Sequence, residues 1–388
     1  MRRFTISSIT TNRLPRFVAS IAASLTLLCA PASALRSSAT SVAQQGAAVT
    51  THRIVVVGDI HGDLGALVRV LRSAGVMNAQ MKWSGAETTL VQTGDMIDRG
   101  PQSRAVMDLL MSLQQDAPRQ GGRVLVLLGN HEAMNMAGDW RYVTADDYAA
   151  FADGESEHRQ QKAQTDAQRL KRAGASDASW RTAHPLGMIE RALAFSADGK
   201  YGRWLRTLPA VLKVNDTLFA HGGISAEMAA WPLARINQTV SDELKAYDGA
   251  RRYLVARGTA LPFDSLQELA HAASAPDAAN SRDVLRFRDY DNWLSVRDDG
   301  PLWCRDYARW TDADGAPIVS RILSTFGVSR LVGGHTVQPG HIASRFDSRV
   351  FVIDTGMFAG YFPNGRASAL VIDDGVVTTI YAGAADER

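Results

Sequence analysis

The chain has 388 residues, 46% of them hydrophobic and 21% charged, an ordinary globular composition on a length that suits one large domain or two smaller ones. The formal net charge is +2 with the histidines neutral, so no strong field is directed at nucleic acid or at an acidic membrane. The first segment reads as an address. Arg2, Arg3, Arg13 and Arg16 precede an apolar stretch at residues 17–30, and Ala32-Ser33-Ala34 follows. That is the order of a secretory signal, with small residues where a signal peptidase cuts. The apolar stretch is short for a membrane span. The sequence therefore predicts a signal peptide over 1–34, a flexible leader over 35–50, no stable membrane anchor and a periplasmic or secreted location. Arg2-Arg3 lacks the surrounding consensus of the twin-arginine route, which favours the general secretory one. Cleavage removes Cys29 and leaves Cys304 alone, so no internal disulfide is expected.

Residues 53–57, RIVVV, read as a buried strand closed by Gly58-Asp59. Leu64, Leu67, Val68 and Leu71 then recur at helical spacing. Residues 89–92 form a second strand, 103–113 a helix, and 124–128 a third strand closed by Gly129-Asn130. Strand, polar loop and helix alternate, the pattern of α/β architecture. Over 138–201 the text changes to charged, alanine-rich stretches such as SEHRQQKAQTDAQRLKRAG. This predicts a helical, cap-like insertion. Strands return at 210–214 and 218–220, ending at His221-Gly222-Gly223, and 226–307 is mostly helical. The last part carries strands at 330–332, 350–353, 369–372 and 376–381. Gly333-Gly334-His335 closes the first of these and Asp354-Thr355-Gly356 the second.

Five strand ends carry groups of metal-binding type: GDIHG at 58–62, GDMIDRG at 94–100, GNHE at 129–132, HGG at 221–223 and GGH at 333–335. A single Gly-Asp after a strand is usually a turn. Five in succession, each after an apolar run, point to one site at the carboxyl ends of the strands. Carboxylate, amide and imidazole donors suit a pair of divalent cations, which together can clamp phosphoryl oxygens and the attacking water. Cys304 and Arg309 are five positions apart, one short of the phosphate loop of cysteine phosphatases, so Cys304 is read as a buried thiol.

These motifs resemble the phosphoprotein phosphatases of the calcineurin-like metallophosphoesterase superfamily. LLGNHEAMNMAGDWRYV at 127–143 and GPLWCRDY at 300–307 are similar to the Shewanella-like branch of that family. The resemblance implies a central β-sandwich flanked by helices, and a catalytic domain over 51–384. It implies two metal ions, manganese, iron or zinc, with Asp59, His61 and Asp95 on the first and Asp95, Asn130, His221 and His335 on the second. Arg99 and Arg305 would bind the phosphate. His131 would protonate the leaving oxygen, held by Asp98, and Glu132 would support the loop. The eukaryotic branches carry a Ser-Ala-Pro-Asn-Tyr loop where this chain reads DTGMFAGYF from Asp354, and no role is assigned to Tyr361.

The expected activity is hydrolysis of phosphoprotein, on tyrosine, serine or threonine, by direct attack of metal-bound hydroxide. Two other readings stand beside it. One is a small-molecule phosphoesterase on the same fold, acting on nucleotides or dinucleoside polyphosphates. The other is a noncatalytic binding module, which a lost ligand would betray, and none of the six is missing.

Overall fold

The computed structural model describes residues 46–383 apart from positions 173 and 178. The expected signal peptide, and the leader up to residue 45, lie outside the described residues. Among those described, the strands form two sheets. One holds β1 (Ala47–Ala48), β5 (Val211–Val214), β6 (Thr217–Ala220), β7 (Arg330–Gly333), β9 (Val350–Val352) and β8 (Ala343–Arg345), in that order. The other holds β11 (Val376–Ala382), β10 (Ala367–Asp373), β2 (Ile54–Val57), β3 (Thr89–Gln92) and β4 (Arg123–Val126).

The alternation of side chains along each strand explains why the sheets stack. Ile54, Val56, Val91, Phe219, Val332, Phe351, Leu370 and Ile372 form the layer between the sheets. Their neighbours Val55, Val57, Leu90, Leu218, Leu331, Val350, Ala369 and Val371 point the other way, into the core shared with the flanking helices. A strand apolar on both faces reads as a continuous run, as RIVVV does. The fold is the expected β-sandwich, two mixed sheets flanked by helices.

Strands β2, β3 and β4 run parallel, and so do β6, β7 and β9. Their carboxyl ends meet at one edge of the sandwich. His221, after β6, comes within 3.3 Å of Asp95, after β3. The His335 N–H, after β7, donates to Asp59, after β2.

One expectation about the leader is revised. The last residues of the expected leader are tied down. Lys213 N–H donates to the Gly46 carbonyl at 2.7 Å, and Thr50 and Asn215 exchange hydrogen bonds at 2.9 and 2.7 Å. The edge of β5 offers unpaired backbone groups, and two alanines fill it through main chain alone, which leaves no pattern to read. The short β8 was missed for the same reason: three edge residues carry no alternation. In the insertion, the helix Ser156–Arg169 turns Ala163 and Ala167 inward against Trp180, Ile189 and Ala192 and leaves its charges outward. Among the described residues, no helix is long and apolar enough to cross a membrane.

Candidate metal centre

The loops after β2, β3, β4, β6 and β7 place Asp59, His61, Asp95, Asn130, His221 and His335 together, each at most 6% exposed. The backbone there is unusual. His61, Asp95, Asp98, Arg99 and His335 all have φ between 49° and 70°, a left-handed conformation that costs a non-glycine residue about 1–3 kcal/mol. Glycines make room. A Cβ on Gly129 would stand 2.3 Å from both the nitrogen and Oδ1 of Asp95, and one on Gly334 would stand 2.2 Å from Asp59 Oδ1. Glu132 braces the arrangement. Its Oε2 accepts from the Asp95 and Gly129 N–H groups at 2.9 Å each, and its Oε1 accepts from Met96 N–H at 2.8 Å.

Asp95 is the hub. Its Oδ2 lies 3.3 Å from His221 Nε2 and 3.8 Å from both His61 Nε2 and His131 Nε2. Backbone carbonyls set the histidine tautomers. His61 Nδ1 meets Ile97 O at 3.1 Å, and His221 Nδ1 meets Thr93 O at 3.0 Å. Each Nδ1 therefore carries the proton that it donates, and Nε2 is aimed inward, the arrangement typical of metal-ligating histidines. Asn130 Oδ1 lies 2.8 Å from His221 Nε2. Nε2 of His335 is buried with no hydrogen-bond partner among protein atoms.

The charges press on one another. Burial would raise the Asp95 carboxyl, but His221 and His131 outweigh it and hold it well below the usual range. Burial would lower His221, yet Asp95 and Asp59 push it up to about 9. Burial, then the neighbouring His221 and Arg305, pull His335 down to about 2. Burial and Asp354 hold Asp59 well above its ordinary value.

His131 Nδ1 lies 2.7 Å from Asp98 Oδ2, and both side chains are buried. Against the opposing effect of burial, Asp95 and Asp98 raise its pKa. Arg99 stands at the rim near two exposed aromatics, its guanidinium 4.3 Å from the Tyr361 ring and 5.6 Å from the Tyr142 ring. Arg99 Nη1 lies 2.9 Å from His61 Nε2. A cation at that imidazole and a guanidinium at that distance exclude each other, so a loaded site requires the fork to swing away. Arg305 lies beside His335. Its Nη1 donates to the His335 carbonyl at 2.8 Å, and burial lowers its pKa. No ion pair ties it to Asp306 among the described contacts.

Two buried residues beside these groups escaped the sequence. Asp354, two residues past the end of β9, is buried with Oδ2 unpartnered, and burial raises it to about 6. The signal was present, because Asp354-Thr355-Gly356 closes a strand as the other motifs do. Arg191, from the insertion helix Met188–Phe195, lies against Asp98, and nothing in its local text hints at that. Cys304 is buried, which pushes its thiol up to about 12 and leaves it no part as a nucleophile.

The residues suit a cation pair. Two groups of ligand atoms, His61 with Asp95 and His131, and Asp95 with His221 and His335, each fit within 4.8 Å and share Asp95. The first holds His131 where Asp59 was expected; Asp59 instead takes the His335 N–H at 3.1 Å on each oxygen. Buried carboxylates crowded in this way, with orphaned imidazole and carboxylate atoms beside them, call for positive charge.

A β-sandwich with oxygen and nitrogen donors at its loop edge defines a metallohydrolase. The model of the calcineurin-like phosphoesterase family matches residues 52–339, and the chain belongs to that family. It is a hydrolase of phosphatase type, in a family that uses two divalent metal ions. Shewanella-like protein phosphatase 2 of Arabidopsis thaliana is 29% identical over 317 residues, which cover 79% of this chain and 72% of the relative. Shewanella-like protein phosphatase 1 of Plasmodium berghei is 26% identical over 331 residues, 83% of this chain and 72% of the relative. A cold-active protein-tyrosine phosphatase of a psychrophilic Shewanella species shares the fold, with a TM-score of 0.58 at 24% identity, covering 88% of this chain and 84% of that one.

Proposed function

We propose that the chain is an exported protein phosphatase that hydrolyses phosphomonoesters directly, with no phosphoenzyme. One observation carries this reading: the Asp98–His131 pair and the Arg99 fork meet around Asp95, with His131 Nε2 and His61 Nε2 each 3.8 Å from Asp95 Oδ2 and Arg99 Nη1 2.9 Å from that His61 nitrogen. Under the proposal, Asp59, His61 and Asp95 hold the first cation, and Asp95, Asn130, His221 and His335 the second. When bound, the pair supplies charge to the phosphoryl oxygens and makes water a better nucleophile. Arg99, released from His61, offers its planar fork to the phosphate, and Arg305 does so from beside His335.

His131 is the acid. Its Nδ1–H donates to Asp98, which leaves Nε2 to give its proton to the departing oxygen. The raised pKa of His131 favours the protonated form that this step needs. Metal content tells this role from that of a ligand, because its Nε2 also lies 3.8 Å from Asp95 Oδ2. The names of the two relatives, protein phosphatases, support a protein substrate. So do Tyr142 and Tyr361, 38% and 50% exposed and both near Arg99, a rim that faces solvent.

The test compares turnover of phosphopeptides with that of nucleotides and dinucleoside polyphosphates. Peptides should win by a wide margin, and preferred turnover of nucleotides would overturn the protein assignment. The acid is tested on leaving groups. His131→Asn should cost much of the roughly 10²–10⁴-fold that general acid catalysis contributes with phosphoserine peptides, and distinctly less with aryl phosphates. A phenol leaves readily as its anion, with a pKa of about 10. Equal losses, or loss of metal, would remove His131 from that role. Export is tested by mass spectrometry of protein from the native host, where the mature terminus should fall at or near Leu35; an intact Met1 on a cytosolic protein would refute it.

A further inference from the structure

Behind the acid pair lies a guanidinium with no route to solvent. Arg191 is 1% exposed, and its Cζ sits 4.5 Å from the Phe195 ring centroid. Burying such a charge is costly unless it is paired and hydrogen-bonded, and here each arm is engaged. Nε and Nη2 each lie 3.1 Å from Asp147 Oδ2. Nη2 also faces Asp98 Oδ1 at 3.4 Å. Nη1 donates to Asn135 Oδ1 at 2.5 Å.

The last contact decides an orientation. An amide whose oxygen is taken by Arg191 must point its nitrogen the other way. Asn135 Nδ2 accordingly donates to Asp98 Oδ2 at 2.8 Å and to the His131 carbonyl at 2.8 Å. Asp98 is thus gripped on both oxygens, by Arg191 on Oδ1 and by Asn135 on Oδ2, the oxygen that meets His131 Nδ1 at 2.7 Å. Asp147 and Arg191 both come from the insertion, on the helices Ala145–Ala149 and Met188–Phe195. Asn135 comes from the helix Asn130–Met136, which also carries His131.

We infer that Arg191, seated on Asp147, is the positioning residue of the acid: through Asn135 and Asp98 it fixes the plane of the His131 ring, so the insertion is the outer layer of the proton-donating machinery. A planar fork with three acceptors in three directions suits that task, and a lysine could satisfy only part of it. The inference rests on the acid role proposed for His131. The bland alternative is a buried ion network that only holds the insertion to the domain.

The experiment separates these. The full-length mature enzyme is assayed on phosphoserine peptides and on an activated aryl phosphate, with bound metal counted per chain. Arg191→Lys should lower kcat on phosphoserine by about 10-fold or more and leave the aryl phosphate within about 2-fold, a fraction of the acid's full contribution. Arg191→Met strands two buried carboxylates and can fail to fold. The paired variant Arg191→Met with Asp147→Leu removes charge from both sides, a change that buried pairs tolerate, and it should show the same split. Added to His131→Asn, either change should cost nothing further on phosphoserine, because the group it positions is gone. Equal losses on both leaving groups, or losses that add in full to those of His131→Asn, would overturn the inference and leave a structural ion network. If His131→Asn itself shows no split while the wild type turns over both substrates, the acid assignment fails and this inference falls with it. A split for His131→Asn and none for the Arg191 variants removes this inference alone.

Discussion

Asp95 answers to several neighbours at once. Its Oδ1 accepts the His131 backbone N–H at 3.0 Å, while its Oδ2 faces three imidazoles. Replacing one oxygen by an amide nitrogen removes the negative charge that both cations would share. Asp95→Asn should lower occupancy at both sites and cut activity by at least about 10²-fold, the scale on which a removed electrostatic group is felt. Elemental analysis with kcat checks it; full activity with two metals per chain would end the shared-ligand assignment. At this scale the sequence displayed types and spacings. GD, NH and GGH after apolar runs were legible because strand ends in such sheets are where ligands gather. The left-handed φ values of His61, Asp95 and His335 were not, since a strained backbone is held by the fold around it rather than by the residue. Arg191 was hidden for a related reason: an arginine in an insertion reads as solvated unless the carboxylates it meets, Asp98 and Asp147, are known to be buried beside it.

The helix Asn130–Met136 has seven residues, too few to be stable alone. It is held in place by Glu132, which links its first turn to the Asp95 loop. The two elements approach so closely that Gly129 has no room for a methyl group. Gly129→Ala would set a Cβ 2.3 Å from the Asp95 nitrogen, and backbone cannot yield as a side-chain tip can. The loop would shift and carry Asp95 and Asp98 with it. A 1 Å misplacement of this kind costs about 10²-fold in rate, so Gly129→Ala should lose at least that much activity and some metal. Gly154→Ala, where nothing stands within 4 Å, should retain both. Wild-type activity in Gly129→Ala would mean that the close approach is not needed. Gly129 was legible as a strand-ending glycine, but its packing against the neighbouring loop was not, because that contact joins segments far apart in sequence. Element boundaries followed the apolar runs well for β2, β3 and β9, whose burial is continuous, and poorly for β1 and β8, which pair through main chain at an edge.

Across the whole molecule, the alternation of the two core layers made the sandwich legible, and the meeting of two sets of strand ends concentrates charge at one edge. That concentration has a consequence for pH. In the metal-free protein, Asp95 and Asp59 raise His221 from its ordinary 6.5 to about 9 against the effect of burial, burial and Asp354 hold Asp59 well up, and burial raises Asp354 from 3.8 to about 6. A folded-state pKa above the unfolded value stabilises the fold fully below the unfolded pKa and loses that effect as pH rises through the folded one. The Asp354 contribution therefore fades as pH rises through about 6, and that of His221 as pH rises through about 9. The metal-free protein should lose thermal stability from pH 6.5 towards pH 9. Cations reverse the balance. Ligation requires a neutral imidazole and an ionised carboxylate, so binding at pH 7 must expel the proton on His221 and any held by Asp59. Calorimetric titration of the metal-free chain with manganese, in two buffers of different ionisation heat, should report net proton release. The gain in Tm on adding manganese should grow as pH rises from 6 to 8. Binding without proton release, together with a metal-independent fall in stability, would show that His221 and Asp59 are not ligands and that the cation pair is held elsewhere.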